Sequence, residues 1–170
     1  MKRATRETVY CEHSRFNTPS LTVQPGEAFL VETELCSGRW LRSIEDRWSP
    51  ELGQGPNPSV CIAIAGTKPG DMLGVYIKEI VPDELGYTGF APGSTPFPDW
   101  IRHEEWGVVT KTVRIRKGFI EWDDELKLAI RPMIGTLGVA PAREVFSNAW
   151  PGKHGGNMDV QEVTTGAIVY

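Results

Sequence analysis

Residues 151–160, PGKHGGNMDV, set a histidine, two adjacent glycines, an amide and a carboxylate side by side. Gly155 and Gly156 can adopt positive φ and bring backbone N–H groups close to a bound group. Neighbouring N–H groups in such a bend form a concavity suited to an anion or to a developing oxyanion. Asn157 offers an amide that can orient a carbonyl, Asp159 a carboxylate that can serve as base or metal ligand, and His154 a base or proton shuttle. The same residues also suit a polar turn in which Asn and Asp cap their own backbone.

Other residues could do chemistry as well. Glu32 and Glu34 alternate along a β-like run, so they share one face; a metal could use both, or both could be solvated. Cys61 lies in an apolar run and becomes a nucleophile only beside a base; otherwise it is a small buried hydrophobe. Tyr87, Phe90 and Phe97 sit in a long Pro/Gly/aromatic stretch, 82–100, whose length fits a cover over a binding site. That stretch, with the residues after it to 106, is where a boundary between two lobes is expected. The chain contains no G-x-S-x-G, P-loop, G-x-G-x-x-G or H-E-x-x-H pattern. Its histidines are His13, His103 and His154, too few for most metal or triad sets.

The elements that would position these residues are short and mostly β. SLTVQPGEAFLVETEL and SVCIAIAGTKPGDMLGVYIKEIVP each read as strand, Pro-Gly turn, strand, that is, as hairpins, with Leu73, Val75 and Ile77 facing one way. In VVTKTVRIRKGF, Val109, Lys111, Val113 and Ile115 face one side, Thr110, Thr112, Arg114 and Arg116 the other, and a turn at 116–118 follows. LKLAIRPMIGTLGVAP reads as a buried, glycine-punctuated strand and QEVTTGAIVY as a closing one. Helix is expected in SGRWLRSIEDRW, where Trp40, Leu41, Ile44 and Trp48 have helical spacing and Ser37 is the N-cap, and in PDWIRHEEWG and REVFSNAW. DDEL at 123–126 reads as a solvated turn or a helix start, and Asp71 as a turn residue.

A chain of 170 residues that is 40% hydrophobic can bury a core, and its 18 Gly and 13 Pro fall as punctuation. With a net charge of -4 and no basic stripe, nucleic acid is not an expected partner. No run of apolar residues is long enough to span a membrane, and the N-terminus carries no signal-like apolar region. Cys11, Cys36 and Cys61 form no C-x-x-C pair and read as reduced thiols.

Taken in order, TPSLTVQPGEAFLVETEL, NPSVCIAIAGTKPGDMLGVYIKEI and RPMIGTLGVAP with PGKHGGNMD and TGAIVY resemble three blocks of the acetamidase/formamidase family. The likeness runs from about Pro19 onward. Two departures stand out: Glu34 occupies a position that is often Asp, and Ser59-Val60-Cys61 replaces a usual T-G-P. The resemblance implies a mainly β, sandwich- or barrel-like fold with a few short helices. It also implies hydrolysis of the C–N bond of small amides, formamide- or acetamide-like or cyclic, to carboxylate and ammonia in a cytoplasmic oligomer. Onto this chain it carries His154, Gly155, Gly156, Asn157 and Asp159 as catalytic residues. A divalent metal, zinc or calcium, would be held by Asp159, Glu32 and Glu34, with Tyr87, Phe90 and Phe97 on the substrate.

Family members continue through a Gly/Asp/His-rich segment beyond the point matching Tyr170. Residues 1–170 are therefore expected to be the N-terminal and central part of the fold, completed by a second polypeptide or segment, and to be inactive alone. The competing expectations are a catalytically silent β-rich assembly subunit and a cysteine-dependent amidase using Cys61.

Overall fold

The computed structural model describes residues 1–90 and 109–170. The chain is nearly all β; among the described residues the one helical element is a 3-10 turn, Pro50–Leu52. Two compact units form, one from Met1–Arg39, Gln54–Ile80 and Pro132–Tyr170, the other from Trp40–Gly53 and Val81–Arg131.

In the first unit, β1 (Lys2–Ala4) pairs in parallel with β4 (Phe29–Val31), and β3 (Leu21–Val23) in parallel with β5 (Ile62–Ile64). The remaining pairings are antiparallel: β2 (Glu12–His13) with β12 (Phe146–Ser147), and β6 (Val75–Tyr76) with β15 (Ile168–Val169). The last sheet has the order β11 (Thr136–Gly138), β14 (Gly155–Asn157), β13 (Pro151–Gly152). Ala4, Val23, Ile77 and Val163 are buried at its core.

Both Pro-Gly turns form, but neither makes the expected hairpin. Glu27 N donates to Gln24 O and Asp71 N to Lys68 O, each at 3.0 Å. Proline second and a positive-φ glycine third (Gly26 +79°, Gly70 +98°) describe a type II turn, which splays the flanking strands. β3 and β4 therefore enter different sheets, as do β5 and β6. The alternation beyond the second turn holds: Leu73, Val75 and Ile77 turn inward, Met72 and Tyr76 outward.

The second unit is an antiparallel sheet of β7 (Leu85–Phe90), β8 (Val109–Arg116), β9 (Phe119–Glu121) and β10 (Lys127–Ala129). Here the hairpin expectation succeeds. Lys117 (φ 51°) and Gly118 (φ 81°) both take positive φ, the type I′ geometry that matches strand twist and joins β8 to β9. Val113 and Thr112 are both buried, so β8 is covered on both faces rather than on one. The start of the stretch expected to be a loop, 85–90, is strand, because six residue pairs join it to β8.

The expected helix over 37–48 is replaced by turns. The Asp46 carboxylate accepts from the backbone N–H groups of Arg42 (2.7 Å) and Ser43 (2.8 Å), local bonds that compete with helix. REVFSNAW is likewise not helical; its Phe146 and Ser147 are paired with β2. PDWIRHEEWG lies outside the described residues. DDEL is a turn in which Asp123 Oδ1 accepts from Glu125 N and Leu126 N. No helix among the described residues is long and apolar enough to cross a membrane.

Candidate functional site

The glycine-rich segment forms a hairpin, β13–β14, with the turn residues Lys153 and His154 between Gly152 and its partner Gly155. Hairpin tips normally face water, yet His154 is only 8% exposed. Phe146 stacks on its ring, centroids 4.7 Å apart and planes at 14°, and His13 meets it edge-on at 5.0 Å and 63°. β2 and β12 bring these partners in, since His13 and Phe146 face each other in that ladder.

The glycines make this packing feasible. A Cβ on Gly138 would stand 2.7 Å from His13 Nε2, and one on Gly156 would stand 2.9 Å from His154 Nε2. Gly155 and Gly156 take φ of 92° and 91°, as expected for their positions. Their strand runs between β11 and β13. Val139 N donates to His154 O on one side and Asn157 N to Trp150 O on the other. The antiparallel alternation then directs Gly156 N–H at Leu137 and Gly155 N–H at Gly152, so both serve as ladder donors.

Asn157 and Asp159 lie at the far end of β14. Asn157 Oδ1 accepts from the Thr136 hydroxyl at 3.1 Å, and its Nδ2 donates to Ala149 O at 3.1 Å, leaving a second amide proton. Asp159 is exposed and holds φ at 50°, a conformation uncommon for a residue with a side chain. Its N–H donates to Gly135 O at 3.1 Å, and its carboxylate lies where a Gly135 side chain would begin.

Sequence reasoning did not pick out His13 or Asn148. Asn148 is fully buried; its Nδ2 donates to Tyr10 O (2.9 Å) and Asn57 O (2.8 Å), and its backbone carbonyl accepts from Asn57 Nδ2 (2.8 Å). Burial, and then the neighbouring His154, hold the His13 pKa below its ordinary value, with the Asn148 amide acting the other way. No hydrogen bond is completed at His13 Nδ1 or Asn148 Oδ1, so Asn148 is the weaker influence. A neutral imidazole with a free ring nitrogen can accept and relay protons. No local sequence signal could have marked this cluster, because His13 lies far in sequence from Phe146, Asn148 and His154 and meets them through the β2–β12 pairing.

The other expected residues fall elsewhere. Glu32 follows β4, accepts from Arg6 N at 3.2 Å and pairs with Arg3 at 2.9 Å. The Glu34 side chain is 3% exposed and pairs with Arg39 at 2.6 Å and Arg6 at 3.7 Å. Among the described residues no three His, Cys, Asp or Glu side chains form a group able to hold a metal, so Asp159, Glu32 and Glu34 are not brought together as one. With both glutamates already balanced by arginines, these residues by themselves do not fit a divalent ion. Burial pushes the Cys61 thiol up, away from the thiolate a nucleophile needs. In the second unit, Tyr87 packs edge-on against Trp40 at 4.8 Å, and Phe90 ends β7 opposite Val109. Phe97 lies outside the described residues.

No family model and no curated protein matches this sequence. Solved structures do. A Bacillus halodurans acetamidase superposes with a TM-score of 0.87 at 27% identity, covering 98% of this chain and 55% of that one. A predicted acetamidase/formamidase from Thermoanaerobacter tengcongensis superposes with a TM-score of 0.85 at 30% identity, with the same coverage. A Yersinia enterocolitica acetamidase, 24% identical with a TM-score of 0.78, shares the fold over 98% of this chain and 54% of its own. The chain thus spans about half the length of the structures it matches. Over nearly all of its residues, its fold is that of the acetamidase/formamidase structures.

Proposed function

We propose that this chain contributes to the hydrolysis of the C–N bond of small amides, giving a carboxylate and ammonia. The observation that carries this reading is the match to acetamidases along almost the whole chain. The β13–β14 hairpin supports it by setting the Asn157 amide and the Asp159 carboxylate near one end of β14, with His154 buried at the other.

An amide carbonyl is a weak electrophile and its nitrogen leaves only when protonated. The reaction therefore needs a base for water, a donor for the oxyanion and an acid for nitrogen. In this reading Asp159, exposed and held at positive φ, takes the proton from water. The second amide proton of Asn157 donates to the oxyanion, a role worth about 3 kcal/mol for a well-placed donor. Gly155 and Gly156, whose N–H groups are ladder donors, let the strand and the imidazole approach. The protonated Asp159 then returns that proton to the departing nitrogen, while His154, buried at the other end of β14, anchors the strand that carries Asn157 and Asp159. In the protein assayed with its native partners, Asp159→Asn is expected to lower ammonia release by about 100-fold or more, with the melting temperature held. Undiminished release from that variant would return Asp159 to a turn-forming role.

The reading also includes a partner. The matched structures extend well beyond the portion this chain covers, and Met72, Tyr76, Ile168 and Tyr170 are exposed on and beside the β6–β15 ladder, with Tyr170 lying over Gly74. A two-stranded ladder with apolar side chains in water is marginal by itself. A second polypeptide carrying the rest of the fold would cover it. The same exposed surface favours one other reading, a catalytically silent assembly subunit. The two differ in outcome: a silent subunit binds its partner and releases no ammonia.

A further inference from the structure

Beside His154 and His13 lies the fully buried Asn148, whose orientation its hydrogen bonds fix. Asn148 donates to two backbone carbonyls, those of Tyr10 and Asn57. Carbonyls only accept, so the amide nitrogen must face them and the flipped orientation is excluded. Oδ1 is thereby turned the other way, and it too can only accept. Asn148 N donates to Cys11 O at 2.9 Å and so continues the β2–β12 ladder, which sets Asn148 and His13 on the same face. Nε2 of the His13 ring is the atom over Gly138, which leaves Nδ1 for Asn148. Both Nδ1 and Oδ1 are buried, and among the described residues neither has a hydrogen-bond partner. A buried acceptor beside a ring nitrogen favours the tautomer that places a proton between them.

We propose that Asn148 holds His13 in the Nδ1–H tautomer, making His13 a positioning residue whose Nε2 lone pair is presented at the seam between Gly138 and Gly156, beside His154. The point where a Gly138 side chain would begin lies 2.8 Å from both Gly156 N and His154 O, so the lone pair faces the backbone that carries His154. Phe146 covers one face of the His154 ring and the His13 ring closes on it edge-on, which fixes the imidazole that the amidase reading employs. The lowered proton affinity of His13 is consistent with a ring that stays neutral at neutral pH. The use of His13 in amide chemistry rests on the proposed function; its tautomer does not.

Long-range proton–nitrogen NMR of the isotopically labelled protein near pH 7.5 tests this directly. His13 can be assigned from its nuclear Overhauser contacts with Phe146 and His154, so no variant has to fold. The expected result is a protonated-type Nδ1 and a lone-pair-type Nε2, with that tautomer in about tenfold excess, the worth of one buried hydrogen bond. Free imidazoles favour the opposite tautomer. An Nε2–H signal, or a mixture near the free ratio, overturns the proposal. An Nδ1–H signal in a chain whose native assembly releases no ammonia upholds it and counts against the amidase reading alone.

Discussion

His13 is a half-buried group whose protonation folding opposes, and this has a consequence for stability. Its pKa in the folded chain is lowered from the ordinary value of 6.5, first by burial and then by His154. The unfolded chain therefore binds that proton more readily. The sign follows: the contribution is complete above about pH 6.5 and is lost as the pH falls from there through the lower folded value. Denaturant midpoints measured from about pH 8 down to about pH 5 should fall with this slope, and His13→Gln should flatten it. An unchanged slope in that variant would place its origin in another group. At this scale the sequence exposed half of the site. His154, Asn157 and Asp159 are legible because they stand within a few residues of one another in a glycine-rich bend. His13 and Asn148 are not, because only the β2–β12 ladder joins Phe146 to His13 and so brings the two together. Glu32 and Glu34 looked like potential ligands because the arginines that neutralise them come partly from distant positions.

Among the elements, glycines with similar φ have different jobs, and substitution separates them. Gly26 (φ 79°) has open space where a Cβ would point, so Gly26→Ala meets only backbone strain, about 1–2 kcal/mol. In Gly156→Ala the new methyl would also stand 2.5 Å from Trp150 O and against His154 Nε2, for a loss of about 3 kcal/mol or more. Urea unfolding of the two variants checks the order; equal losses would mean that the imidazole packing around β14 is looser than described. Turn chemistry also explains what the sequence said about strands. Lys117-Gly118 specified both a reversal and its partner strand, because a type I′ turn leaves room for nothing else. Pro25-Gly26 and Pro69-Gly70 specified a reversal only, and the partners of β3 and β4 are parallel strands distant in sequence. Residues 40–48 kept helical spacing but not helix, because Asp46 binds the backbone it would have had to release.

For the whole molecule, a nearly all-β chain was evident from short apolar runs broken by Pro and Gly. Its division into many small sheets was not, since sheet membership depends on pairings that no local pattern records. The exposed apolar residues on and around β6–β15 belong to this scale. Placing charge there, as in Tyr76→Lys with Ile168→Lys, should weaken association with a completing polypeptide by about tenfold or more while leaving the chain folded. Unchanged association, read by analytical ultracentrifugation of the mixture, would move the contact to another face. The central claim is tested most directly by assaying the protein as isolated with its native partners against formamide, acetamide and a small cyclic amide, following ammonia and carboxylate together. The account predicts that ammonia is released in step with carboxylate from at least one of them, and that the 170 residues alone release none. Failure of the native assembly to release ammonia from any of the three would contradict it.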